Sequence, residues 1–188
     1  MKRTSLLAVL VVVVCAGAGF AEVRRVPSDY PTIQAGIDAA DDGDTVLVAP
    51  GVYFQTIDFR SKNITVTSTD PDDPRIVSYT VLKGDANGSV VTFTGGQTSQ
   101  AVLAGFTITG GGGTLHPEIG GGDVEKLYMG GGIYCNRSSP TITKNVIVRN
   151  EGIFRISENQ MQVDLSFGGG IGCWECSPVI TYNTIRNN

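Results

Sequence analysis

The sequence predicts an all-β chain wound as a parallel β-helix, and three observations lead there. Two stretches match at a fixed offset. GGGIYCNRSSPTITKNVIVRN begins at Gly130 and GGGIGCWECSPVITYNTIRNN at Gly168, so Cys135 and Cys173, Pro140 and Pro178, Asn145 and Asn183, and Asn150 and Asn188 each stand 38 residues apart. A register-preserving repeat of this length marks stacked supersecondary units rather than one globular core. From Thr45 onward the chain consists of short β-branched runs divided by turns rich in Gly, Asp, Pro and Asn, the punctuation of an all-β chain. Hairpin signals are scarce: the Asn-Gly at Asn87 lacks two equal alternating flanks. Strands that do not pair with their chain neighbours are expected to pair one coil on.

Lys2 and Arg3, an apolar run over 6–14 and the small-residue stretch before Ala21 read as a secretory signal peptide over 1–21. The run is too short for a membrane span, and no second one follows. Cys15 follows Val12-Val13-Val14 rather than the small residue a lipoprotein signal needs. The expected mature chain, 22–188, is a single extracytoplasmic domain, secreted or at the cell surface. Its charge is −6, since the signal removes two basic residues and no acidic one from a chain of net charge −4. That balance excludes a nucleic-acid backbone as partner.

Residues 31–40, PTIQAGIDAA, read as a short amphipathic helix with Ile33, Ile37 and Ala40 on one face, broken by Asp41-Asp42-Gly43-Asp44. Strands are expected at 45–48, 56–59, 63–68, 75–78, 80–82, 89–93 and 101–108. About five coils start near Val46, Ile64, Val90, Ile133 and Ile171. The last two intervals are too long for bare coils, which places insertions at 110–129 and 151–167. Both end just before a GGGI segment, so they should leave the same corner on consecutive coils.

Cys173-Trp174-Glu175-Cys176 spells CxxC, but it shows neither the helix of a redox motif nor the second ligand pair of a zinc site. Cys135 and Cys173 read instead as small apolar residues stacked inside neighbouring coils, both buried and without a bridge between them.

Residues 26–53, VPSDYPTIQAGIDAADDGDTVLVAPGVY, resemble the opening of pectin-lyase-like right-handed parallel β-helix proteins. DPDDP at 70–74, GFTITGG at 105–111 and GGGIYCNRSSPTITKN at 130–145 resemble the bacterial exported, repeat-rich branch of that superfamily. The resemblance implies a right-handed solenoid with a short N-terminal capping helix. Enzymes of the superfamily degrade polysaccharides. The Asn-Thr-Asp, Gly-His-Gly and Arg-Ile-Lys segments of the polygalacturonase-like branch do not occur here, and no catalytic residue is carried over. The chain stops at Asn188 inside the repeat, so the expected stack is truncated at its C-terminal end, with further coils or domains beyond.

No motif calls for a cofactor. Asp41, Asp42 and Asp44, or Asp70, Asp72 and Asp73, can offer calcium hard oxygen ligands, but turn roles explain both groups. Asn145 and Asn183 suit an asparagine ladder. Candidate contact residues lie in the insertions: Tyr128 to stack on a sugar ring, and Glu125, Arg155 and Asp164 to bond its hydroxyls, with His116 a further polar group. The expected function is a non-catalytic surface or extracellular scaffold that contacts a polysaccharide or a cell-surface partner. The alternative is a polysaccharide lyase or glycoside hydrolase with part of its active coils missing.

Overall fold

The computed structural model describes residues 20–116, 124–152, 155–157 and 162–188. The signal segment expected over 1–21 therefore lies almost wholly outside the described residues. The described chain is mostly β, with two short helices. It opens with β1 (Val23–Val26) and α1 (Ile33–Ala39), then runs β2 (Thr45–Val48), β3 (Gly51–Phe54) and β4 (Ile57–Asp58). The next circuit is β5 (Thr65–Ser68), α2 (Pro74–Tyr79), β6 (Thr80–Lys83) and β7 (Val91–Phe93). A third has β8 (Val102–Ala104), β9 (Thr107–Thr109), β10 (Thr114–Leu115), β11 (Val124–Met129) and β12 (Ile133–Asn136). A fourth has β13 (Thr141–Thr143), β14 (Val146–Val148), β15 (Arg155–Ser157), β16 (Gln162–Phe167) and β17 (Ile171–Trp174), and the chain continues into β18 (Val179–Thr181) and β19 (Thr184–Arg186).

Three sheets take these strands in rotation. One is six-stranded, β1-β2-β5-β8-β13-β18; one five-stranded, β19-β14-β9-β6-β3; one four-stranded, β17-β12-β7-β4. Every pairing within them is parallel. Each strand thus pairs with its counterpart one circuit away, as the lack of hairpin signals predicts. Val46 meets Val66 one circuit on. The circuit entered at Ile64 closes near Val102 rather than Val90, because Thr65 pairs with Val102 while Val91 opens a strand of another sheet.

Two local readings change. RIVS over 75–78, expected as a strand, is helical within α2. The Asp73 carboxylate accepts the Arg75 N–H at 2.9 Å as an N-cap, and Pro74 occupies the first turn, where no donor is needed. Residues 101–108 form two strands, not one. Gly105 breaks them at φ +81, where a Cβ would strike Ser68 and Pro71.

Matching registers build interior columns. Val46, Val66, Leu103, Ile142 and Ile180 form one. Ile57, Val91, Ile133 and Ile171 form a second, and Leu82, Ile108, Ile147 and Ile185 a third. The inner members are buried and contribute about 1.5–3 kcal/mol each. Burial falls away on β17, β18 and β19, over which no described strand stacks: Ile180 is 42% and Ile185 49% exposed. Cys135 is buried and pairs in register with Cys173, but Cys173 is exposed for the same reason, which corrects the expectation that both are buried. At the other end α1 lays Ile33 and Ile37 onto the first circuit, with Gly36 close against Val46.

Two corners of the later circuits are held by asparagines. Asn145 Oδ1 accepts the Phe106 N–H at 3.0 Å, and its Nδ2 donates to Leu103 O at 3.0 Å and Thr143 O at 2.8 Å. Asn183 Oδ1 then accepts the Asn145 N–H at 2.9 Å. Asn150 and Asn188 repeat the scheme one corner later. The residue before each asparagine is left-handed: Lys144 φ 58, Arg149 φ 55, Tyr182 φ 55 and Asn187 φ 53. Such a conformation costs a non-glycine residue about 1–2 kcal/mol, which the ladder bonds offset.

Asn145→Ala should destabilise the fold by about 3 kcal/mol or more in urea unfolding, since it orphans a buried N–H and a buried carbonyl. Asn183→Ala, on the outer rung, should cost clearly less; equal costs would refute the buried-ladder account.

A pH dependence arises from Asp44. Its buried carboxylate accepts N–H groups from Asp41 and Glu22, each at 2.8 Å, and meets Arg24 at 2.7 Å. Those two peptide donors, with Arg24 adding to them, hold the carboxyl below the usual carboxylate range. Its stabilisation is therefore present above about pH 4 and lost as pH falls below that. Asp44→Asn should lower the unfolding midpoint at neutral pH and flatten the acid-side loss of stability. An unchanged acid slope would contradict this.

Candidate functional site

The two insertions meet. Strands β10, β11, β16 and β15 form one further four-stranded sheet, here the loop sheet. β11 from the first insertion pairs in parallel with β16 from the second, matching Leu127 with Leu165 and Met129 with Phe167. β10 and β15 flank them antiparallel. The cause lies in the corner beneath. Gly130 and Gly168 both have positive φ, and the Gly131 and Gly132 N–H groups donate to the Gly168 and Gly169 carbonyls at 3.3 and 2.9 Å. Both insertions therefore rejoin the stack at one corner, one strand spacing apart, and their last strands continue that spacing outward.

All four candidate contact residues fall on this sheet. Tyr128 lies on β11, between Leu115 of β10 and Ser166 of β16, and is half-buried. Glu125 sits where the β11 register shifts between Val124 and Lys126. Asp164 is the register partner of both Lys126 and Arg155, so an acidic position stands between two basic ones. The side chains of Glu125, Arg155 and Asp164 lie outside the described residues, as do residues 117–123, 153–154 and 158–161.

Beneath the loop sheet runs an aromatic seam. Leu127 and Met129 are buried with Tyr134, and Trp174 packs against them. His116, expected among the polar loop groups, is buried. Its peptide N–H donates to Leu127 O at 2.7 Å, and its ring lies 4.5 Å from that of Trp174 and 6.4 Å, edge-on, from Tyr134. Sequence reasoning missed Tyr134 and Trp174 as members of the site. The signal was there in the strand alternation: with Ile133 and Cys135 inward, residue 134 must point outward, toward the insertions. Asn136 and Trp174 are register partners, and Asn136 Oδ1 and Trp174 Nε1 are both buried without a hydrogen-bond partner among the described residues. One residue further on, Arg137 Nε meets Glu175 Oε2 at 2.7 Å across the two circuits, a half-exposed pair worth at most about 1 kcal/mol.

The acidic turns are occupied by the protein itself. Asp42 accepts the Asn63 N–H at 2.8 Å, Asp70 accepts the Asp72 and Asp73 N–H groups, and Asp72 pairs with Lys144. Among the described residues no cluster of His, Cys, Asp or Glu is arranged to hold a metal ion, and no helix is long and apolar enough to cross a membrane. No protein-family model, curated protein or solved structure matches this chain.

The seam packs the loop sheet onto the stack. Leu127→Ala should therefore weaken that attachment by about 2–4 kcal/mol. Limited proteolysis should cut within 110–129 at least several-fold faster while the Asn145 circuit stays protected. Equal loss of protection along the whole chain would show that the seam supports the core instead.

Proposed function

We propose that this chain is an exported right-handed parallel β-helix of the pectin-lyase-like kind. In this reading it is a non-catalytic surface or extracellular scaffold whose loop sheet contacts glycans or partner proteins. The observation that carries this reading is the pairing of β11 with β16, which makes one platform from two insertions. The rotation of parallel strands through three sheets supports the solenoid, and the general hand of parallel crossovers supports its right-handed sense. The basic start and apolar run at the N-terminus support export.

The platform's residue types suit sugars. A tyrosine offers an apolar face and a polar tip, and a row of charged register positions beside it suits hydroxyl groups. Rigid scaffolds that carry binding loops at one edge place their sites there. The resemblance transfers no catalytic residue, and this favours a binding role over bond cleavage.

The test is retention on a panel of acidic and neutral polysaccharides. Tyr128→Ala should weaken retention about tenfold, the effect of roughly 1.4 kcal/mol, and shortening either 110–129 or 151–167 should abolish it. Glu125→Ala, Arg155→Ala and Asp164→Ala should each reduce it. Unchanged retention after loop shortening would remove the platform from the account. Release of unsaturated or newly reducing sugar ends would overturn the non-catalytic half.

A further inference from the structure

Three thiols converge where β12 and β17 turn their corner. Cys135 is inside the stack, Cys173 is its register partner on the outer circuit, and half-buried Cys176 packs against the same core. Cys176 Sγ lies 3.6 Å from the Cys135 carbonyl oxygen, 41 residues away in sequence. The CxxC segment has neither a helix nor a second ligand pair to activate it. The fold supplies something else, a third cysteine from the neighbouring circuit. We propose that Cys135 and Cys176 are a redox-active thiol pair, with Cys176 the attacking sulfur, and that their disulfide ties the outer circuit to the one beneath.

The choice of pair rests on geometry. Cys135 and Cys173 are register partners that project side by side from parallel strands, their Cα–Cβ bonds running alongside one another rather than converging. Cys176 comes directly after Glu175, a left-handed corner residue at φ 46, and this bend brings its sulfur to the Cys135 carbonyl on the neighbouring circuit. The Cys135 thiol, the Cys173 thiol and the Trp174 peptide N–H all favour the Cys176 thiolate, which lowers its pKa to about 6. The Cys173 and Cys176 thiols, together with burial, push Cys135 up. A half-buried thiolate beside a buried thiol is the arrangement thiol–disulfide exchange uses.

The co-reactant is a low-molecular-mass disulfide. The Cys176 thiolate attacks one of its sulfurs, forming a mixed disulfide and releasing one thiolate. Cys135 then loses its proton to solvent and attacks Cys176 Sγ, forming the Cys135–Cys176 bond and releasing the second thiolate. Two protein thiols are oxidised and one external disulfide is reduced to two thiols. Once Cys176 is in the mixed disulfide its negative charge is gone, and with it part of what held the proton on Cys135.

The experiment treats the full reduced chain with oxidised glutathione, alkylates the remaining thiols in acid and maps the linkages by peptide mass spectrometry. The expected product links Cys135 to Cys176 and leaves Cys173 alkylated. Cys173→Ser should form the same link, while Cys135→Ser should accumulate glutathione on Cys176. Closure should raise the thermal midpoint by several degrees, reversed by reductant. A link from Cys173 to either other cysteine would overturn the proposal, as would three thiols reacting no faster than a free cysteine peptide. The mapping on the unsubstituted chain decides even if Cys135→Ser fails to fold.

Discussion

Everything in this molecule depends on register being carried unchanged from one circuit to the next. Parallel strands alone do not secure it, because sliding by two residues keeps the same face inward. From Leu103 onward the corner asparagines do. Asn145 joins three circuits: its oxygen takes the Phe106 N–H, its nitrogen donates to the Leu103 carbonyl, and its own N–H is taken by Asn183. A slip of any size breaks all three contacts within a buried site, where unpaired polar groups are costly. The left-handed residues before each ladder asparagine are the conformational cost of bringing its side chain to the axis. They are not glycines, so the strain is real and the ladder must offset it.

The same constraint builds the candidate site. Glycines 130–132 and 168–170 occupy equivalent corners, and a Cβ at Gly131 would meet the Gly169 and Glu151 carbonyls at 2.5 Å. Backbones that close leave no freedom in where an insertion rejoins the stack. β11 and β16 are thereby delivered side by side and can hydrogen-bond as neighbours in a sheet outside the three main ones. Burial of Leu127 and Met129 over Tyr134 then sets how the sheet lies. In this sense the platform is a consequence of core register rather than an independently folded appendage.

Legibility in the sequence tracked the range of the physics. The stacking of Ile133 on Ile171, Ile142 on Ile180 and Asn145 on Asn183 was readable because equal spacing forces it. The helix was readable over 31–40 from its apolar face; the structure starts it at Ile33, after the Thr32 cap. RIVS misled because β-branched composition speaks for a strand, whereas Asp73-Pro74 caps and opens a helix whatever the composition of its later residues. Exposure of Cys173 could not be read, since burial depends on what stacks above and not on the residue. Tyr128, Glu125, Arg155 and Asp164 were located only to their loops; that they share one sheet required knowing that the loops pair. Tyr134 and Trp174 were hidden because the repeat drew attention to the inward positions of the same strands.

Inward and outward positions on β12 and β17 do different work a single residue apart. Cys135 and Cys173 continue the interior column while Tyr134 and Trp174 hold the loop sheet, so the segment from Tyr134 to Cys176 couples core, seam and corner. Arg137 and Glu175 close the same corner on its solvent side. A change in how β17 sits on β12 would therefore move Trp174 against His116 and, through the Leu127 carbonyl that the His116 N–H holds, reach β11 and Tyr128. The path is short and made of packed, hydrogen-bonded groups. The thiol corner and the loop sheet are in this way two faces of one strand pair.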